Sequence, residues 1–373
     1  MNKKELELYI HIPFCVRKCS YCDFLSAPAT EQTREAYMAA LFAEIGGRAK
    51  DYSDRTVTSI FIGGGTPSLL SGEQIGQLMD RIREQFAMAQ DAEITMEVNP
   101  GTASAEKLRN FYTAGINRLS IGMQSAQAEE LKNLGRIHDF EGFCQVYREA
   151  VEAGFTNINV DIMSGLPGQT LASYRDTLEK VLHLEPMPQH ISAYSLIVEE
   201  GTPFAAMAER GELPLPEEET ERAMYEETIE VLSKYGFHRY EISNYARDGY
   251  ECRHNVGYWI RRDYLGFGIG AASLIDNVRF QNEKSLGAYL AHPLESREEE
   301  QTLTVQDRME ETMFLGLRLT RGVSCVDFAE QYGRTVEEVY GEVIARNVAD
   351  GLLTVTERKE NQKKDRFLAL TKR

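Results

Sequence analysis

The sequence predicts an α/β protein, in which a partial (β/α)6 TIM-like barrel is followed by a C-terminal α+β domain of winged-helix-like form. Apolar strand patterns alternate with helical patterns six times before residue 200, which is typical of a parallel sheet covered by helices. Six units are fewer than the eight of a closed barrel, so we expect an open one. We divide the chain into a barrel core at 1–200, a capping extension at 201–300 and a C-terminal domain at 301–373.

Each predicted strand is a short, mainly apolar segment that ends at a glycine-rich or polar turn. The six strands are predicted at residues 6–12, 57–62, 92–98, 118–122, 157–163 and 190–196. Helices are predicted between them, at residues 33–49, 71–86, 104–114, 128–134, 140–153 and 171–184. Because parallel α/β proteins bind ligands at the carboxyl ends of their strands, we expect these turns to surround one binding site.

The rest of the chain has a different pattern. An acidic helix is predicted at 217–233, and a segment rich in Tyr and Gly leads to a polar boundary at 296–301. Residues 305–373 predict three helices and then short strands, the order of a winged-helix-like domain. Such domains often bind DNA, but this one has no strong basic stripe, so we expect it to pack against a partner or substrate.

The composition is that of a soluble, acidic protein. The 373 residues include 41 Lys and Arg against 58 Asp and Glu, which gives a formal net charge of −17. A nucleic-acid-binding protein is expected to be basic, so we predict no nucleic-acid partner. No apolar run approaches the ~18 residues of a transmembrane helix, and no secretory signal is evident. We therefore expect a cytoplasmic protein with reduced cysteines.

Three cysteines, Cys15, Cys19 and Cys22, follow the first predicted strand with the spacing C-x3-C-x2-C. Thiolates hold iron–sulfur clusters, and three of them on one loop would leave one iron of a [4Fe-4S] cluster open to another ligand. A structural zinc ion bound by these thiolates and His11 is the alternative, since Cys3His is an ordinary zinc site. A disulfide is disfavoured by the odd number and the absence of a secretory signal.

The second predicted strand ends at the turn Gly63-Gly64-Gly65-Thr66. Glycine permits unusual backbone angles and close approach to a ligand. Exposed N–H and C=O groups in such a turn can bind the ammonium and carboxylate of an amino acid. A tight structural turn is the alternative, but a position directly after a buried strand and opposite the cysteine loop favours binding.

Four further polar residues lie at the ends of later strands or just beyond them: Glu97, Gln124, Arg136 and Asp161. A carboxylate such as Glu97 can accept two ribose hydroxyls. Arg136 can pair with a ligand carboxylate through two parallel hydrogen bonds. Each residue taken alone is more commonly a structural polar group, and it is their shared position at successive strand ends that favours a binding site.

These segments together resemble a known superfamily. C-x3-C-x2-C followed by GGGTP is similar to the radical S-adenosylmethionine superfamily, in which the open iron binds the amino and carboxylate groups of S-adenosylmethionine. A set of longer segments resembles the branch that contains oxygen-independent coproporphyrinogen III oxidase, and within it the HemW-type haem chaperone group. These segments are YIHIPFC, GGGTPS, EVNPGT, NRLSIGMQS, LGRIH, GLPGQT, ISAYSLIVEEGTPF and HNVGYW.

The resemblance implies a role for individual residues. It implies that Cys15, Cys19 and Cys22 bind the cluster. The residues that it matches to contacts with S-adenosylmethionine are Tyr9, Gly64, Gly65, Thr66, Glu97, Gln124, Arg136 and Asp161. In the oxidase some of these positions, notably that of Gln124, serve a second S-adenosylmethionine, so the number of bound molecules stays open.

Two departures from the oxidase pattern favour the chaperone group. The oxidase has a further cysteine two residues after the third ligand, where this chain has Phe24. The oxidase also has a long extension before its first strand, which here begins at about residue 6. The signature HN-x-x-YW, formed by His254, Asn255, Tyr258 and Trp259, is typical of the chaperone group.

The resemblance implies haem as the cargo, and haem iron takes His or Cys as an axial ligand. His254 is the candidate ligand, with Cys252 two residues before it, and His11 and His138 are weaker candidates. An ordinary hydrogen-bonding role is the alternative for His254.

The function implied by the resemblance is that of a haem chaperone. It would bind haem, a [4Fe-4S] cluster and S-adenosylmethionine, and it would deliver haem to haemoproteins such as membrane-bound respiratory components, visiting the membrane from the cytoplasm. Whether it is also an enzyme stays open. The alternatives are oxygen-independent coproporphyrinogen III oxidase, an enzyme of porphyrin biosynthesis, and a structural zinc protein without a reaction.

Overall fold

A computed structural model describes residues 3–295, 297–360 and 363–371 of the chain. Six parallel strands lie side by side in chain order at the centre of one large sheet. They are β1 (Lys4–Ile12), β2 (Arg55–Gly64), β3 (Ala87–Val98), β4 (Arg118–Gln124), β5 (Ile158–Ser164) and β6 (His190–Ser195). Each lies where the alternation in the sequence predicts a strand, and together they form the wall of an open barrel.

Six helices connect these strands, and apolar stripes on them pack against the outer face of the sheet. They are α1 (Glu31–Arg48), α2 (Gly72–Gln85), α3 (Ala105–Thr113), α4 (Ala128–Leu134), α5 (Phe140–Glu152) and α6 (Leu171–Leu182). Helix α2 shows why they form. Ser71 and Gln74 make a reciprocal capping box at its start, which satisfies backbone N–H groups that have no partner within the helix.

The two faces of the barrel strands differ in chemistry because successive side chains of a strand point to opposite sides. In β4, Leu119 and Ile121 belong to the hydrophobic core under the helices. Their neighbours Arg118, Ser120 and Gln124 line a cavity on the inner side. The helix-facing layer therefore holds the fold together, and the inner face is left free for polar groups.

The sheet continues beyond the six parallel strands on both sides. Next to β6 lie β8 (Asn244–Ala246) and β7 (His238–Arg239), and next to β1 lie β9 (Tyr264–Phe267), β10 (Ala272–Ile275), β11 (Val278–Asn282) and β12 (Arg297–Thr302). Four helices accompany these strands: α7 (Pro203–Glu209), α8 (Glu218–Lys234), α9 (Arg253–Trp259) and α10 (Leu286–Ala291). The polar segment predicted as a boundary includes strand β12, and Ser296 lies outside the described residues. One sheet thus runs through the segments 1–200 and 201–300, so this division stays a prediction.

The C-terminal segment forms three helices and a small antiparallel sheet with the strand order β13-β15-β14. Its elements are α11 (Val305–Gly316), β13 (Val323–Ser324), α12 (Cys325–Tyr332), α13 (Val336–Ala349), β14 (Leu353–Glu360) and β15 (Lys363–Leu370). Met309, Phe328, Val336 and Leu368 make a hydrophobic core of its own. Among the described residues, no helix combines the length and apolar content needed to cross a membrane.

Candidate functional site

The loop between β1 and α1 brings the three cysteines to one cavity of about 380 Å³, which we call the first cavity. Backbone hydrogen bonds anchor this loop: the N–H of Cys15 donates to the carbonyl of Ala27 at 3.2 Å, and the N–H of Ser20 donates to the carbonyl of Leu134 at 3.0 Å. The hydroxyl of Thr66 lies 3.4 Å from the Cys15 Sγ. The loop therefore presents three free thiols to a shared space.

His11, the fourth ligand of the zinc alternative, does not line the first cavity. Its Nδ1 lies 3.0 Å from the hydroxyl of Tyr9, and its Nε2 lies 2.9 Å from the carbonyl oxygen of Leu25. Within the described parts of the chain, no three His, Cys, Asp or Glu side chains are grouped as a site for a single metal ion would need. The arrangement fits an iron–sulfur cluster, in which each thiol binds a different iron, better than a single zinc ion bound by three cysteines and His11.

The glycine turn after β2 requires glycine at two positions. Gly64 has a φ of +111°, which L side chains rarely adopt, and an added Cβ would lie 2.5 Å from the ring of His11. An added Cβ at Gly65 would lie 2.7 Å from the carbonyl oxygen of Phe14. The turn packs directly onto the start of the cysteine loop, and only glycine allows that approach.

Two carboxyl groups, Glu97 and Asp161, lie across the first cavity from the cysteine loop. Burial, together with the charge of Asp161, raises the pKa of Glu97 to about 8, against the opposing effect of a hydrogen bond from the N–H of Gly64. Burial also raises the pKa of Asp161, which accepts hydrogen bonds from Ser120 and Asn159. At neutral pH the Glu97 carboxyl is mostly protonated, so it can donate a hydrogen bond as well as accept one.

Gln124 and Arg136 close the side of the first cavity. Gln124 has a φ of +69° at an irregularity where β4 pairs with β5. Such left-handed conformations of non-glycine residues cost energy and are concentrated at functional sites. The Nη2 of Arg136 donates to the carbonyl of Gly122 at 2.7 Å, and its Nη1 lies 3.9 Å from the Cys19 Sγ. Its buried Nε has no hydrogen-bond partner among the described residues.

The structure thus brings most of the predicted S-adenosylmethionine residues to the cysteines. Those that line the first cavity are Gly64, Gly65, Thr66, Glu97, Gln124, Arg136 and Asp161. Tyr9 differs, because it lines a neighbouring cavity of about 580 Å³, which we call the second cavity. Gly64, Glu97 and Phe24 line both cavities and form the wall between them.

Comparison with known proteins identifies the family. Residues 9–181 match the model of the radical SAM superfamily, and residues 303–359 match that of the HemN C-terminal domain. The protein named heme chaperone HemW of Bacillus subtilis is 40% identical, over 92% of this chain and 92% of its own length. The protein of the same name from Escherichia coli is 37% identical, over 94% of this chain and 92% of its own length. The chain belongs to the HemW family of the radical SAM superfamily.

A solved structure supports the same fold for this HemW-family chain. Coproporphyrinogen III oxidase (HemN) from Escherichia coli, described as a radical SAM enzyme, superposes with a TM-score of 0.83 at 27% sequence identity. The match covers 99% of this chain and 87% of that one. The predicted fold class and family are confirmed by these matches.

His254, the candidate haem ligand of this HemW-family chain, is 1% exposed and lines neither cavity. Its Nδ1 lies 2.8 Å from the Ser59 hydroxyl and its Nε2 lies 3.1 Å from the Tyr258 hydroxyl. Burial lowers its pKa to about 3, so the ring is neutral. Iron binding by His254 would require it to exchange one of these hydrogen bonds, and its role stays a prediction.

Sequence analysis missed the polar floor of the first cavity. The missed residues are Arg118, Ser120, Asn159 and Ser192, which lie on the inner faces of β4, β5 and β6 together with the predicted Asp161. A signal was present, because polar residues occupy every second position of the segments 157–161 and 190–194, and also positions 118, 120 and 124. In a buried strand this alternation indicates one polar face. The residues at the strand ends, by contrast, predict only the rim of the first cavity.

Proposed function

We propose that the chain is a haem chaperone that binds haem, a [4Fe-4S] cluster and S-adenosylmethionine, and delivers haem to haemoproteins. The observation that carries this proposal is the meeting of three thiols and seven predicted ligand-binding residues at one cavity. The chain in which they meet is 40% identical over 92% of its length to a protein named heme chaperone HemW.

The residues of the first cavity fit both proposed cofactors. Cys15, Cys19 and Cys22 would hold the cluster, since thiols are its usual ligands. Arg136 has an unsatisfied Nε and fits a carboxylate, and Glu97, largely protonated, fits hydroxyl groups of a ribose. When bound, the cluster supplies an iron with an open position and a single electron. The protein contributes positioning, a buried polar floor and exclusion of water.

Coproporphyrinogen III oxidase activity is the second candidate, because the fold superposes on HemN over 99% of the chain. Phe24 weighs against it. This residue stands where the oxidase pattern has a further cysteine, and its side chain is 58% exposed at the wall between the cavities.

Anaerobic purification tests the cluster. We expect a brown protein with about four iron and four sulfide per chain, as a cubane cluster requires. Zinc in place of iron would contradict both radical SAM candidates.

Incubation of the reduced protein with coproporphyrinogen III and S-adenosylmethionine separates the two functions. We expect no protoporphyrinogen, whereas authentic oxidase in a parallel reaction forms it. Its formation by this chain would overturn the chaperone proposal in favour of the enzyme.

Haem titration tests the cargo directly. We expect a saturable Soret band for the wild type. His254→Ala then tests the proposed ligand: a changed Soret position with wild-type folding supports iron ligation, and an unchanged spectrum assigns His254 to hydrogen bonding with Ser59 and Tyr258.

We further propose that the chain acts in the cytoplasm and visits the membrane when it transfers haem to acceptors such as respiratory haemoproteins. The experiment is transfer from the haem-loaded chain to an apo-haemoprotein in membrane vesicles, followed by the acceptor's own spectrum. An equal rate from free haem would contradict a delivery role.

A further inference from the structure

The second cavity is lined by Tyr258 and Trp259 of the HN-x-x-YW signature, for which the sequence predicted no ligand contact. It lies between the barrel edge at β1, the strands β9 to β11, the end of α9 and helix α11 of the C-terminal segment. Tyr258, Trp259, Tyr264 and Leu315 form much of its wall. Its volume of about 580 Å³ lies within the usual range of small-molecule sites, about 300–1,000 Å³. The aromatic lining suits a large, flat, mainly apolar ligand.

A buried arginine gives this apolar cavity a specific polar contact. Arg261 lines the cavity with a side chain that is only 3% exposed. Its Nε donates to Glu311 at 2.9 Å, whereas its buried Nη2 has no hydrogen-bond partner in the described part of the chain. The residue has a φ of +57°, a conformation that non-glycine residues rarely adopt. Burial of a charged donor without a hydrogen-bond partner is costly. The position of the Arg261 Nη2 therefore indicates that a bound ligand supplies the acceptor.

The local charge identifies the kind of acceptor. Arg279 also lines the cavity and donates to the other oxygen of Glu311 at 2.7 Å. Two guanidinium groups therefore share one carboxylate, and one positive charge is left uncompensated. The indole Nε1 of Trp259 is a further buried donor that lacks a partner among the described residues. A carboxylate would satisfy these donors, since a planar guanidinium matches carboxylate geometry.

We propose that the second cavity is the haem site, in which the aromatic wall packs on the tetrapyrrole and Arg261 binds a propionate carboxylate. This inference rests on the proposed haem-binding function and adds the position and the specificity-determining residue. Phe24, Gly64 and Glu97 separate the two cavities, so haem bound here lies directly beside the S-adenosylmethionine residues. His254 lines neither cavity, so haem bound here excludes it as the iron ligand, and it instead positions the hydroxyl of the wall residue Tyr258.

The test compares haem with haem dimethyl ester, whose propionates carry no charge. Both are titrated under the same detergent conditions into the wild type and Arg261→Gln. We expect the wild type to prefer haem at least tenfold, since a hydrogen bond to a charged group is worth about 1.5–3 kcal/mol. Arg261→Gln is expected to bind haem about tenfold more weakly and the ester as well as the wild type does. Arg261→Lys, which keeps the charge, is expected to recover part of the preference.

Two further variants complete the test. Arg253→Gln removes an arginine at the start of α9 that pairs with Asp91 at the surface, and it should leave both affinities unchanged. Leu315→Trp fills the cavity and should weaken haem and ester equally. Thermal unfolding of each variant confirms that it is folded.

Failure of this inference is distinguishable from failure of the proposed function. If the wild type binds haem but neither Arg261→Gln nor Leu315→Trp changes its affinity, haem binds elsewhere and the inference is overturned while the chaperone proposal stands. If Arg261→Gln weakens haem and ester equally, recognition of the carboxylate is overturned. If the wild type binds no haem, both proposals fail.

Discussion

The two cavities share a wall but are built in different ways. The first is lined by the inner faces of consecutive barrel strands and by the segments that follow them, and its surface carries thiols, carboxyls and other polar groups. The second is assembled from β1, β9 to β11, α9 and α11, which are far apart in the chain, and its surface is mainly aromatic. The comparison teaches that the barrel alone supplies a cofactor site, whereas the elements added around it supply room for a large apolar ligand.

The largest effect is expected from Cys19→Ser. If the cavities are separate sites, this variant should lose nearly all of the roughly four iron and four sulfide per chain yet retain the haem affinity of the wild type. Metal analysis and a haem titration of the same sample measure both. Cys144→Ser, at a partly buried cysteine outside both cavities, is the control. Parallel loss of haem binding would show that the cavities are one site.

The next effect concerns the stability of the polar floor. Arg118 is 1% exposed and interacts electrostatically with Glu93 and Asp161. Arg118→Met removes the positive charge near these carboxyls, which should lower the free energy of unfolding by about 1–3 kcal/mol. Urea denaturation measures it. Arg81→Met, at an exposed arginine of α2, should change it by no more than about 0.5 kcal/mol. Equal effects would mean that the floor is not a structural charge network.

One substitution in the wall between the cavities should weaken ligand binding in both of them. Gly64→Ala forces alanine into a φ of +111° and against the ring of His11, which should cost about 1–3 kcal/mol of unfolding free energy. It should also weaken binding of both S-adenosylmethionine and haem. Gly76→Ala is the matched control, because its Cβ would meet no atom within 4 Å and alanine favours the helix by up to ~1 kcal/mol. A defect confined to one ligand would argue against a common wall.

The last prediction concerns the pH dependence of stability. The folded pKa of Glu97 is about 8 against an ordinary value of 4.5, so between these values the folded state binds more protons than the unfolded state. Stability should therefore fall as pH rises through this interval. Glu97→Gln removes this contribution and should flatten the decline in the free energy of unfolding between pH 5 and pH 8. Some slope should remain, because burial also raises the pKa of Glu7 to about 8. Denaturant unfolding at several pH values measures it, and an unchanged slope would contradict the assigned ionisation.

The sequence predicted the parts of the molecule that depend on local patterns. Alternation of strand and helix located all six barrel strands, and the helix predicted at 71–86 is α2, with Ser71 as its N-cap. The strand order also predicted the residues at the rim of the first cavity, because the carboxyl ends of parallel strands lie at one edge of the sheet. The cysteine spacing and the glycine turn therefore pointed to the same place.

Other features were decided only by the tertiary structure. Tyr9 lies in the strand that leads to the cysteines, yet it lines the second cavity, where its ring stacks on that of Phe61 and its hydroxyl lies 3.0 Å from the Nδ1 of His11. The pairing of Arg261 and Arg279 with Glu311 joins residues 32 to 50 positions apart. The sequence by itself determined the strands, their helices and the cysteine rim, since these depend on near neighbours. The second cavity and its unsatisfied arginine depended on the packing of α11 against the barrel, because contacts between distant segments leave no periodic pattern in the chain.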